Sequence, residues 1–415
     1  MMKFKYALIL LSVAVLSVAT TSCRQEATEV YDPTQEQIVS MSSQFQVMWN
    51  MIDRGYVFWE YDKTDWDAVY TKYYPKFKEL DSRKEIPTKE LSALYNEACA
   101  GLLDHHMHIK VTNLMAPKDE TGDKKVVHIH PGHDEVTKRD YYCSIEDTTF
   151  TQMYAALEAQ GRLTRVIDGR FKADGLNVRI VSGVVDGNVG YLYFNTFELA
   201  NLAKGNATAV DDASKKPETA MAALKQYWEQ LNDKSLKGMI IDIRNNGGGS
   251  TEDLYYVLSP MIDQKLTFGY VRHKQGLGRL DYSEWSPWSL MPNTTIPARI
   301  GMPLAVLINI WSVSMGEVTP TAARYMPNSL IVGQRSYGAT GPLTSDFQST
   351  YGTPAVSKDG SVNAYTSTFC FINRDGELIE GVGVDPDVWV DYDAKQFVLG
   401  NDAVLDKAVE FIQSK

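Results

Sequence analysis

The chain has 415 residues, 44% of them hydrophobic and 22% charged, with a formal net charge of −11. That balance is ordinary for a folded chain and too apolar for general disorder, and the length implies two or three folding units. The acidic excess makes nucleic acid or an anionic lipid surface a poor partner.

The N-terminus reads as an export signal. Lys3 and Lys5 form a basic start, Ala7 to Ala19 an apolar run, and Thr20, Thr21 and Ser22 a stretch of small residues before Cys23. The apolar run is too short to span a bilayer. The arrangement resembles a bacterial lipoprotein signal over residues 1–22. That resemblance implies a lipidated Cys23, a flexible leader over 23–37, membrane contact only through the lipid anchor, and a place in the cell envelope. Cleavage by an ordinary signal peptidase is the alternative. Loss of two lysines would leave 39 basic against 52 acidic residues in the mature chain. Beyond Cys23 only Cys99, Cys143 and Cys370 remain, an odd number that makes no disulfide framework, although one bridge is open to them.

Residues 38–111 read as a small helical domain. Ile38, Met41, Phe45, Met48, Trp49 and Ile52 recur at three and four, which gives Glu36 to Ile52 one apolar stripe, and Trp66 to Phe77 and Lys89 to Leu103 continue the pattern. Residues 112–187 form an intermediate segment of uncertain fold, with a short strand over Val126 to His130, a helix over Thr149 to Gln160, and no credible PDZ carboxylate-binding loop. From 188 to 415 strands and helices alternate. Val189 to Phe197, Gly238 to Ile243, Leu266 to His273, Leu304 to Ile310, Leu330 to Gly333, Val362 to Ile372 and Val388 to Val390 read as strands. Lys216 to Asn232, Leu254 to Ile262, the stretch up to Arg324 and Ala403 to Ile412 read as helices. Such alternation predicts an α/β core with a mostly parallel sheet.

Four stretches carry chemistry. Trp311-Ser312-Val313-Ser314-Met315-Gly316-Glu317 stands between a buried strand and a helix. A serine there is either a helix cap or a nucleophile beside unpaired N–H groups. Arg244-Asn245-Asn246-Gly247-Gly248-Gly249 follows another buried strand, where glycines let the backbone approach a ligand; no Gly-Lys-[Ser/Thr] completes a phosphate loop. Six of seven histidines, His105, His106, His108, His128, His130 and His133, fall within 29 residues, which offers a base for a serine or a metal site. Glu380 lies beside the glycine-rich turn Gly381-Val382-Gly383-Val384-Asp385-Pro386-Asp387.

Together Asp104-His105-His106, Arg244 to Gly249, Ser312 to Glu317 and Gly383 to Asp387, in this order, resemble the S41 serine peptidases, the C-terminal processing and tricorn core peptidases. The resemblance spans most of 40–392 and implies a crotonase-like core over 188–415. It implies Ser314, rather than Ser312, as nucleophile, with an oxyanion hole from the amides of Met315 and Gly248. The lysine used by the processing branch has no counterpart: its position is Ala339, and no lysine occurs from Gln275 to Ser357. The tricorn-like branch implies His106 as base and Glu380 as its partner, with His105 standing where that branch has an orienting serine. A peptide or protein would be the substrate, and neither cofactor nor metal is required. Two other readings stay open: a scaffold of this family that binds without catalysis, and a metal-dependent hydrolase built on the histidine cluster.

Overall fold

The computed structural model describes residues 32–210, 217–342 and 355–415; the signal stretch and Cys23 lie outside them. Among the described residues no helix is long and apolar enough to cross a membrane, and Cys99, Cys143 and Cys370 are free thiols.

A seven-stranded sheet forms the centre. Its order is Val388–Trp389, Ser329–Gly333, Leu304–Ile308, Gly238–Asp242, Val189–Phe194, Leu176–Val185 and Leu163–Ala173. The first four pairings are parallel and the last two antiparallel. Strands such as Gly238–Asp242 and Leu304–Ile308 are buried along their whole length, because helices cover both faces of a parallel sheet. Pro217–Gln230 and Met315–Arg324 pack on one face, and Asp147–Ala159, Ala394–Val398 and Ala403–Gln413 on the other. The fold is the mixed α/β class expected, with a mostly parallel sheet.

Helices Met41–Gly55, Trp66–Leu80 and Thr88–Cys99 form the N-terminal region. The first is capped by Ser40, which accepts the Ser43 amide at 3.2 Å, and the second by Asp65, which accepts that of Ala68 at 2.9 Å. Their apolar faces close over an antiparallel sheet ordered Ala355–Val356, Val362–Tyr365, His108–Thr112 and Val126–Ile129. The N-terminal helices therefore share a core with strands that come from late in the chain. A third antiparallel sheet holds Phe369–Asn373, Leu266–His273 and Ser286–Leu290.

Two expected elements differ. Leu254 to Ile262 is not one helix but a single turn, Leu254–Val257, followed by a 3-10 turn over Ser259–Met261; Pro260 lacks the N–H that a continuing helix needs. Val362 to Ile372 is two strands, Val362–Tyr365 and Phe369–Asn373, in different sheets. The interruption falls at Ser367, whose N–H and hydroxyl both donate to Asp104, at 2.7 and 3.0 Å. The intermediate segment holds the hairpin Leu163–Ala173 and Leu176–Val185, so the central sheet begins well before residue 188.

Candidate active site

Strand Leu304–Ile308 delivers the chain to a tight turn, and helix Met315–Arg324 leaves it. Within the turn the two serines have different fates. Ser312 is fully buried; its Oγ donates to the Ile243 carbonyl at 2.8 Å and accepts the Asn309 amide at 3.1 Å. Ser314 is partly exposed and sits at φ 56°, ψ −115°. A non-glycine residue held in that sparsely populated region costs about 1–3 kcal/mol, and such strain collects where function needs a side chain aimed sharply. The amide of Met315, the first helical residue, has no hydrogen-bond partner among the described residues, and the positive end of the helix stands behind it.

The glycine-rich turn is fastened to the serine turn. Asn245 N donates to Asn309 Oδ1 at 3.0 Å and Asn309 Nδ2 to Asn245 Oδ1 at 2.7 Å, while the Val313 amide donates to the Asn246 carbonyl at 2.9 Å. Beneath them Arg244 is buried between Asp242 and Asp402, with contacts of 2.6 and 2.7 Å. Glycine is required at 248, where φ is +92° and a Cβ would come within 2.5 Å of the Ser314 Cβ. The Gly248 N–H, expected in the oxyanion hole, donates to Asn246 Oδ1 at 2.9 Å. That bond leaves Gly249 as the glycine of this turn whose N–H has no partner among the described residues.

Glu380 and Asp104 flank His106. Both carboxylates are buried, and ligand atoms of the three side chains lie within 4.8 Å of one another. Burial, then the like charge of Asp104, holds the Glu380 carboxyl well above the usual carboxylate range, and burial lifts that of Asp104 to about 6 against its hydrogen bonds from Ser367, His106 and Met107. Burial and then the neighbouring His105 push His106 down to about 4, so its ring is neutral at pH 7. Its Nδ1 is enclosed without a hydrogen-bond partner among the described residues. His105 acts through its main chain: its N–H donates to Glu380 Oε1 at 2.8 Å, while its ring Nδ1 lies 3.3 Å from the Tyr337 carbonyl oxygen.

One loop joins the two halves. The Ser314 amide donates to the Ala339 carbonyl at 2.9 Å, and the next two amides, Thr340 and Gly341, donate to Glu380 Oε2 at 2.6 and 2.7 Å. Ala339, which stands where the processing branch has its lysine, thus meets the serine through its backbone. Glu317 pins the loop from below: it accepts Ser336 Oγ and the Gly338 amide, each at 2.6 Å, and the Ala339 amide at 2.7 Å. Burial lifts its carboxyl to about 7 despite those donors.

Residues 188–390 match the sequence model of peptidase family S41, and residues 41–86 that of the tricorn protease C1 domain. Residues 188–390 belong to peptidase family S41. It is 24% identical over 196 residues to the tricorn protease of Thermoplasma acidophilum, which covers 47% of this chain and 16% of that protein. A probable CtpA-like serine protease of Staphylococcus aureus is 24% identical over 225 residues, 54% of this chain and 38% of that one. The chain therefore spans well under half the length of these curated relatives. Among solved structures, a protein from Parabacteroides merdae superposes with a TM-score of 0.61 at 21% identity, covering 90% of this chain and 97% of that one. Mature CPAF in complex with lactacystin superposes at 0.56 and 15% identity, covering 91% and 99%. Both share the fold.

Every residue singled out for chemistry is described except Cys23. Ser314, Met315 and the glycine turn form one group, His105, His106 and Glu380 a second, and Tyr337 to Gly341 connects them. Sequence reasoning gave no role to Asp104, Glu317 or Ser367. The first two stand inside the quoted motifs, and their pairing with the site-forming loops was the missed signal. Ser367 lies in no motif.

Proposed function

We propose that this chain is a serine peptidase acting on peptide or protein substrates. The observation that carries the reading is Ser314 held at φ 56° beside a Met315 amide that has no partner among the described residues. In this reading Ser314 Oγ attacks the scissile carbonyl carbon. Its proton passes to His106 and from there to the leaving amine, and water then cleaves the acyl-enzyme by the reverse relay. The Met315 amide receives the oxyanion, joined by Gly248 if the Asn246 carboxamide turns aside, or by Gly249. Asp104 balances the charge that His106 gains, Glu380 stands beside the same ring, and the His105 amide orients Glu380. Export through residues 1–22 and lipidation of Cys23 complete the proposal, placing the enzyme on the cell envelope.

A fluorophosphonate probe tests the nucleophile: Ser314→Ala should remove both labelling and peptide cleavage, and cleavage that survives the substitution rejects the reading. For the anchor, Cys23→Ser should move the protein from the membrane fraction to the soluble one. A scaffold that binds peptides without cleaving them is the second reading, favoured by the bond that occupies the Gly248 amide. Turnover of a peptide library that His106→Ala abolishes excludes it.

A further inference from the structure

The histidine cluster divides into two. His105 and His106 belong to the site above, whereas His108, His128 and His130 gather on the neighbouring sheet. Strand His108–Thr112 pairs antiparallel with Val126–Ile129, with Ile109 opposite Ile129 and Lys110 opposite His128. One more step puts His108 opposite His130. In a pleated sheet these residues share one face, while Ile109, Val111, Val127 and Ile129 fill the core on the other. His128 is exposed and its two partners half-buried, so the face is open to solvent.

We propose that His108, His128 and His130 form a zinc site. Their ligand nitrogens all lie within 4.8 Å of one another, and His108 Nε2 and His128 Nδ1 are 3.2 Å apart. Two imidazoles on one tetrahedral Zn²⁺, each at about 2.0–2.1 Å, would have their nitrogens roughly 3.3 Å apart. A hydrogen bond between neutral rings would also explain that pair. The third ring stacks on His108 with centroids 3.9 Å apart, which keeps its nitrogens in the same group, and a modest ring rotation would turn one of them towards a shared ion. Three neutral imidazoles suit a borderline ion such as Zn²⁺ and do not suit Mg²⁺ or Ca²⁺. Water would supply the fourth ligand, and bound metal would staple the two strands. The site stands apart from the serine chemistry, and it departs from the expectation that no metal is required.

Full-length protein stripped with chelator is titrated with Zn²⁺ by calorimetry, and with Co²⁺ followed by visible absorption. The proposal expects one ion per chain with a Kd tighter than about 10 μM, tetrahedral cobalt bands, and a Zn²⁺-induced rise in Tm. His128→Ala should weaken binding by about 10–100-fold, the His108→Ala/His130→Ala pair should abolish it, and Glu380→Gln should leave it unchanged. His128 is exposed, so its variant should match the melting of the metal-free wild type. The proposal is overturned by absence of binding at 100 μM Zn²⁺, an estimate of about ten times the expected Kd, by binding that persists in the double variant, or by binding lost in Glu380→Gln, which would move the ion to the Asp104, His106 and Glu380 group.

Discussion

A Cβ on Gly248 would stand 2.5 Å from the Cβ of Ser314 and 3.0 Å from its Oγ. The glycine-rich turn and the serine turn therefore touch at the atoms proposed to react. Gly248→Ala should lower kcat by roughly 10²-fold or more, since a displacement of about 1 Å at the nucleophile suffices for that. The positive φ adds a folding cost of about 1–2 kcal/mol. Urea unfolding beside steady-state kinetics separates the two effects, and a fully active variant would show that the turn is not part of the site.

Strain at Ser314 is a cost the fold carries. Glycine adopts φ 56° without penalty, so Ser314→Gly should be more stable than Ser314→Ala by about 1 kcal/mol while both are inactive. Chemical denaturation of the two variants measures the difference, and equal stabilities would mean that the backbone there is relaxed.

Arg244 is buried against Asp242 and Asp402, and its guanidinium also faces the Phe150 and Phe397 rings. Arg244→Leu leaves two buried carboxylates without their counter-charge and should cost about 3–5 kcal/mol. A loss below 1 kcal/mol in equilibrium unfolding, an estimate of the worth of an exposed ion pair, would contradict the buried arrangement.

Asp253 predicts a pH dependence. Its carboxylate accepts the Leu199 and Ala200 amides at 2.8 Å each, yet burial lifts its pKa from 3.8 to about 7. A raised carboxyl pKa means the folded state binds the proton more tightly than the unfolded chain. The associated stability is complete below about pH 3.8 and is lost as pH rises through about 7. Asn does not titrate, so Asp253→Asn should be less stable than wild type at pH 5, having lost one acceptor, and the gap should shrink towards pH 8 by up to about 1.4 kcal/mol per pH unit. Thermal unfolding at several pH values checks it; a constant gap would refute the shift.

How much was legible can be read from particular segments. Leu304 to Ile310 and Gly238 to Ile243 announced themselves because strands covered on both faces are continuously apolar, and Ser314 followed from where such a strand meets a helix. The hairpin from 163 to 185 did not, because one of its strands mixes buried and exposed positions without clean alternation. The break inside Val362 to Ile372 was also hidden. Its cause is a bond from Ser367 to Asp104, 263 positions earlier, and local periodicity carries no trace of such a contact. His106 and Glu380 were placed by their motifs alone, yet the link from Glu380 through Thr340 and Ala339 to Ser314 depends on backbone groups that no side-chain pattern encodes.

The central claim is that Ser314 is a nucleophile activated by His106. The most direct measurement is the rate of fluorophosphonate labelling, with the modified residue identified by peptide mapping, in wild type, Ser312→Ala and His106→Ala. The account predicts modification at Ser314 in wild type, the same target in Ser312→Ala, and a rate lower by about 10²–10⁴-fold in His106→Ala. Modification at another residue, or an undiminished rate without His106, would contradict it.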